Sequence, residues 1–350
     1  MTRNIVHAGF HRTGTTSIQN FLSEHRVQLA EQRVHYPVDP FGLTGQHCYA
    51  NWMRSNDPAD WTPNCFFGAH VFASAKAAVT TSLNHQALHR LLETELPLRI
   101  LSSENFIHYT ASELVQLERD LGPIDKFVVY YRDGIEFLYA CWVLRINFFD
   151  TLPFSAFLKQ ALTWEYTSPI RCLCDFLDHV AASHGAERLC VRSFAEALSH
   201  PRGISGDFIE QAVGLSPIDS PGSETHANRT PPPAFVELRR AFKIVIATDQ
   251  TGKQQDLLAR VRPFEPAFSR AAAKYLEPHL STISIADADS PQLDANGVFK
   301  LPSNTIGGGL APEFRFPPTG SVRHLETEPL MRLMYRYEPF RDLVGHGNPN

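Results

Sequence analysis

No window of the sequence approaches the roughly 18 uninterrupted apolar residues that cross a bilayer. The opening Met1-Thr-Arg-Asn-Ile-Val-His7 holds no apolar stretch of signal-peptide length. The expectation is a cytoplasmic protein without a membrane span. Cysteine is scarce, six in 350 residues, at positions 48, 65, 141, 172, 174 and 190. With no CxxC pair and no regular spacing, these exclude a disulfide scaffold, fit a reducing compartment and read as mostly buried thiols. Positive charge is not in excess either. Against 32 Lys and Arg stand 37 Asp and Glu, a formal net charge of −5, so no nucleic-acid partner is expected. The chain lacks HExxH and GxSxG, and Cys172-x-Cys174 in an apolar helix reads as core, so neither a metal nor a nucleophile-elbow chemistry is expected. Internal repeats are missing as well.

What is present is an ordinary globular composition, 43% hydrophobic and 20% charged, enough for one large core or two modest ones. Asn4–Gly9 reads as a short buried strand, followed by a polar turn and a helix over Thr15–Glu31 with Ile18, Leu22 and Leu29 on one side. A short strand is expected at Val34–Tyr36, then an aromatic, irregular insert to Ala69 and a helix over Val71–Leu96. Leu98–Leu101 reads as a strand running into Ser103-Glu104-Asn105, Ser112–Leu121 as a helix, and Lys126–Tyr131 as a central strand, apolar as parallel sheets require. After Arg132-Asp133-Gly134, the residues Ile135, Leu138, Tyr139, Trp142 and Ile146 recur at helical spacing as a core stripe. Helices are expected over Phe154–Leu162, Ile170–His184, Gly206–Val213 and Pro233–Ile246, with a strand at Arg188–Val191. Strands alternating with helices imply an α/β fold on a parallel sheet. Residues from Ser216 onward are rich in Pro and Ser, and Asp287–Gly320 is dense in Pro and Gly.

Between the first strand and helix lies His7-Ala-Gly-Phe-His-Arg-Thr-Gly-Thr-Thr-Ser-Ile-Gln19. Backbone N–H groups and the helix dipole favour an anion at such a junction. The spacing Gly9-x4-Gly14 is that of a nucleoside-triphosphatase P-loop. However, Thr15 stands where that motif needs Lys, and the cation is Arg12. Without the lysine that reaches the outer phosphates, and with no acidic strand end for Mg²⁺, the loop suits a donor with a single 5′-phosphate chain.

The run Arg12-Thr13-Gly14-Thr15-Thr16 resembles the 5′-phosphosulfate loop of sulfotransferases, commonly Lys-[Ser/Thr]-Gly-Thr-Thr before a helix. The resemblance implies 3′-phosphoadenylyl sulfate as co-substrate, with Arg12, Thr13, Gly14, Thr15, Thr16 and Ser17 around its 5′-phosphate. Arg12 would replace the lysine that stabilises charge on the bridging oxygen, as a planar fork rather than a point charge. The family also places an Arg at a central strand end and a Ser eight positions on, both for the donor's 3′-phosphate. Here Arg132 is present and the eighth position is Ala140. Cys141 or Arg229 in Asn228-Arg229-Thr230 are candidates to compensate.

Transfer to a hydroxyl needs a base. Glu104 follows a strand end, where open α/β sheets bind ligands, and Ser-Ser-Glu-Asn-Phe resembles the family's substrate-facing segment. His47 lies in the irregular insert, where bacterial relatives often carry a histidine. His11 and His108 border the same crevice.

The reading is an α/β fold with a P-loop-like central parallel sheet flanked by helices, a single domain with loop-rich insertions. Residues 1–215 would bind the donor and 216–350 contribute to the acceptor cleft. The activity implied is metal-free, in-line sulfuryl transfer to a small-molecule or glycan acceptor, with Arg12, Glu104 and His47 catalytic. Two alternatives stand beside it. One is a small-molecule kinase, against which the missing Walker lysine argues. The other is a degenerate nucleotide-binding module without turnover, which Arg12 and Ala140 keep open.

Overall fold

A computed structural model of the protein describes residues 2–39, 43–52, 92–132, 134–148, 150–163, 168–218, 231–248, 266–284 and 321–340. The chain divides into two compact units. One comprises Met1–Arg132, Trp164–Arg229 and Lys300–Glu313, and the other Asp133–Thr163, Thr230–Phe299 and Phe314–Asn350. Residues 133–163 therefore group with C-terminal segments. Among the described residues, no helix is long and apolar enough to cross a membrane.

The first unit is built on β1 (Arg3–Gly9), β2 (Val34–His35), β3 (Leu98–Ser102), β4 (Ile124–Tyr131) and β5 (Leu189–Ser193). Their order is β2-β3-β1-β4-β5, and every pairing is parallel. A parallel sheet covered on both faces needs strands apolar on both sides. Accordingly β1 is buried from Asn4 to Gly9, and β4 from Phe127 to Tyr130. This is the α/β class expected from the alternation of strands and helices.

One face of the sheet packs Ile5, Ile100, Val128 and Tyr130 against Ile18 and Leu22 of α1 (Thr15–Glu24) and Leu29 of α2 (Arg26–Glu31). A short helix α3 (His47–Trp52) follows. The other face is covered by α4 (Ala111–Leu121) and α5 (Pro169–His184), where Phe127 meets Phe176 and His184 edge-on at 6.3 and 5.0 Å. Local chemistry fixes these ends. Thr110 and Glu113 form a reciprocal capping box on α4, and Ser168 caps α5 with Pro169 in its first turn. Beyond β5 come α6 (Phe194–Leu198) and α7 (Gly203–Asp207), which widens into a π-type turn over Phe208–Val213.

Beyond shifts of a few residues at element ends, two elements differ from the sequence reading. The single helix expected over Thr15–Glu31 breaks at His25. That ring lies 2.8 Å from the Phe21 carbonyl oxygen and stacks on Phe21 at 4.2 Å, so a side chain competes for the helix ladder. His47 opens a helix rather than lying in irregular chain. The helix expected over Val71–Leu96 falls almost wholly outside the described residues, as do Asp287–Gly320 and Asn228-Arg229-Thr230.

The second unit is mainly helical, with Gly134–Phe148, Phe154–Ala161, Pro233–Thr248, Pro266–Leu276 and Thr327–Arg336 beside an antiparallel pair, β6 (Ser281–Ser284) and β7 (Ser321–His324). Its core joins Leu238, Phe242, Leu276, Leu330, Met334 and Phe340. The stripe Ile135, Leu138, Tyr139, Trp142 and Ile146 is buried as expected, and so are Phe137, Ala140, Cys141 and Val143, which makes that helix apolar nearly all round. Within this core Arg240 and Glu237 are both fully buried, 2.7 Å apart. Arg240 also donates to the carbonyls of Thr151 and Leu325 and to the Thr327 hydroxyl, while Glu237 accepts the Leu325 N–H at 2.8 Å.

Candidate active site

The loop Arg12–Ser17, Glu104 and Arg132 hang from the carboxyl ends of β1, β3 and β4, the edge at which open α/β sheets receive ligands, and His47 opens α3 beside them. The loop after β1 is tightly shaped. Gly9 has φ +97°, and a β-carbon there would lie 3.4 Å from the backbone and side chain of Glu104, so only glycine brings the loop this close. Gly14 has φ +82°, and a β-carbon would come within 2.6 Å of Ile204 Cδ1 and 3.1 Å of Phe194 Cε2. Arg12 also adopts a left-handed conformation, φ 67°, which costs a non-glycine residue about 1–2 kcal/mol. The turn holds Arg12 there between two flanking constraints.

Within the loop, Thr13 is buried and donates its hydroxyl to the Phe10 carbonyl at 2.6 Å, closing the turn. Thr15 is also buried and hydrogen-bonds Glu104 through its side chain. Both hydroxyls therefore serve the protein's own architecture, whereas Thr16 and Ser17 are only half-buried. Helix α1 starts with no acidic residue in its first turn and no side-chain cap, a helix end suited to an anion.

The two candidate bases come together. Glu104 opens a short 3₁₀ turn after β3, and its Oε2 lies 3.6 Å from His47 Nε2. The other ring nitrogen of His47, Nδ1, is 2.9 Å from Ser103 Oγ. Gln19 donates its amide to the same Glu104 oxygen at 3.0 Å. The segment carrying His47 is held against β3 by Gln46. Its backbone N–H donates to the Ser102 carbonyl at 2.8 Å, and its side-chain oxygen accepts the Ser102 N–H at 2.7 Å. Burial pushes the Glu104 carboxyl up, but His47, His11 and the Thr15 hydroxyl outweigh it and hold the group well below the usual carboxylate range. Burial drives the imidazoles of His7 and His11 down to about 4, against the pull of Glu104. His108 faces His11 at 5.7 Å between ring centroids, and its Nδ1 lies 3.3 Å from Cys172 Sγ.

At the end of β4 the Arg132 guanidinium stacks over the Phe194 ring, 5.5 Å from its centroid. Ala140 is completely buried in its helix, so that position presents nothing to a ligand. Cys141 is fully buried too, and Arg229 lies outside the described residues. Among the described residues no group of three or more His, Cys, Asp or Glu could hold a metal ion.

No family model and no curated protein matches the chain. Among solved structures, a sulfotransferase from Alicyclobacillus acidocaldarius is similar over 77% of this chain and 99% of that one, with a TM-score of 0.40 and 15% identity.

Sequence reasoning missed the parts played by Gln19 and Phe194. Gln19 had a signal. It lies one helical turn after Thr15, and Ile18 and Leu22 mark the same inward side, so both polar groups fall on a buried face. Phe194 had none, because its role follows from the pairing of β4 with β5 in space.

Proposed function

We propose that the protein moves a sulfuryl group from 3′-phosphoadenylyl sulfate to a hydroxyl or amine of a carbohydrate, lipid or secondary metabolite. The observation that carries this reading is the juxtaposition of the Arg12–Ser17 loop with the Glu104–His47 pair, in contact where Gly9 meets Glu104. In this reading the donor's 5′-phosphate chain lies against the start of α1, with Arg12 beside the bridging oxygen and Arg132 at the 3′-phosphate. The acceptor oxygen attacks sulfur and the bond from sulfur to the bridging oxygen breaks. Its electron pair leaves with adenosine 3′,5′-bisphosphate, and Arg12 offsets the charge.

The acceptor's proton goes to His47. A carboxylate held as low as Glu104 binds a proton weakly, so Glu104 serves better as counter-ion to the imidazolium that forms. The buried Ala140 favours one competing reading, a module that binds donor without turnover.

Isothermal titration with adenosine 3′,5′-bisphosphate tests the donor half. Binding should weaken about 100-fold or more in an Arg12→Ala, Arg132→Ala variant. Binding of ATP with Mg²⁺ instead, or of neither, overturns the proposal. With a panel of hydroxyl acceptors, release of the bisphosphate should fall about 10²–10⁴-fold in His47→Ala. Binding without release for any acceptor would establish the competing module.

A further inference from the structure

Phe194 touches both anion-binding elements of the first unit. Its ring carries the Arg132 guanidinium at 5.5 Å. Its edge also sits against Gly14 in the phosphate loop, where even a single added carbon would lie 3.1 Å from Cε2. The residue follows directly on β5, whose register against β4 sets Tyr131 opposite Ser193, so the strand ends place Arg132 and Phe194 side by side. Half-buried Phe194 packs into the core formed with Ile204 and Ala197, which fixes the ring.

A guanidinium held over a fixed ring by cation–π attraction has fewer directions open to its fork. We infer that Phe194 is a positioning residue that sets the direction of Arg132 and its separation from the loop, so that the site selects an adenosine bisphosphate phosphorylated at the 3′ rather than the 2′ oxygen. The inference rests on the donor reading above.

The test compares three probes by isothermal titration: adenosine 3′,5′-bisphosphate, adenosine 2′,5′-bisphosphate and adenosine 5′-monophosphate. The wild-type protein should prefer the 3′,5′ isomer. Phe194→Leu, which keeps an apolar side chain in the core, should weaken that isomer about tenfold, weaken the monophosphate far less and so erase the preference. Phe194→Tyr should restore it. Arg132→Lys keeps the charge without the stacking plane, and should also erase the preference, which keeps the test decisive if Phe194→Leu fails to fold. An isomer preference that survives Phe194→Leu or Arg132→Lys overturns the role of Phe194 while leaving the donor reading intact. If no bisphosphate binds the wild-type protein, the donor reading and this inference fall together.

Discussion

Glu237 and Glu104 are both carboxylates removed from solvent beside a basic partner, one in each unit, and their surroundings differ in kind. Glu237 is fully buried against Arg240, with the Leu325 N–H on its second oxygen, and Arg240 in turn serves two carbonyls and a hydroxyl. Its partner is a guanidinium and its hydrogen bonds join distant parts of the chain, so the pair acts as a structural lock. Glu104 instead faces a histidine, an amide and a hydroxyl, beside a glycine-framed loop at the carboxyl edge of a parallel sheet. The lesson is that burial alone does not separate scaffold from chemistry. What separates them is whether the partners can exchange a proton and whether the carboxylate borders a place for a ligand.

The comparison breaks most visibly at Arg240. Arg240→Met leaves Glu237 buried without its cation and should cost about 3–5 kcal/mol in urea denaturation, whereas removing both charges with Glu237→Leu as well should recover most of that. A loss below about 1 kcal/mol for the single variant would show that the lock is weak.

Acid should act on the first unit's cluster. His7 and His11 are held neutral, with pKa values lowered to about 4 from an ordinary 6.5. The unfolded chain therefore takes up protons first as pH falls. The contribution of these groups to stability is full above about 6.5 and is lost between there and about 4. Glu104, also depressed, adds a loss in the same direction at still lower pH. Urea midpoints at pH 7.5 and 5 should fall in that order, and equal midpoints would mean the two imidazoles are not held neutral by the fold.

The smallest effect sharpens the contrast. Gln19→Leu removes one donor from the Glu104 carboxylate and should cost about 1–2 kcal/mol. It should also raise the proton affinity of the Glu104 carboxylate, visible by NMR as a side-chain carboxyl signal that titrates at higher pH.

Much of the first unit was legible in sequence because parallel strands must be apolar on both faces. β4 announces itself through the apolar run Phe127–Tyr131 and β1 through Ile5, Val6 and Ala8, and the polar, glycine-spaced loop between β1 and α1 stands out against them. The break at His25 was not legible, since helical periodicity continues across it and only a ring folded back onto Phe21 interrupts the ladder. The relation of Glu104 to His47 was not legible either. Each could be singled out, but as rivals, because nothing in the sequence says that Gln46 pins its segment to Ser102.

By itself, the sequence determined the alternation that makes an α/β sheet, the glycine-spaced polar loop that carries Arg12, and an alanine at position 140. These depend on local patterning, on residue chemistry and on spacing along the chain. Only the tertiary structure decided that Thr13 and Thr15 turn inward, that Glu104 and His47 lie side by side, and that Arg132 lies over Phe194. The physical reason is that a carboxylate beside an imidazole, or a cation over a ring, is a relation between segments far apart in the chain, and strand order, set by how the sheet buries its faces, brings them together.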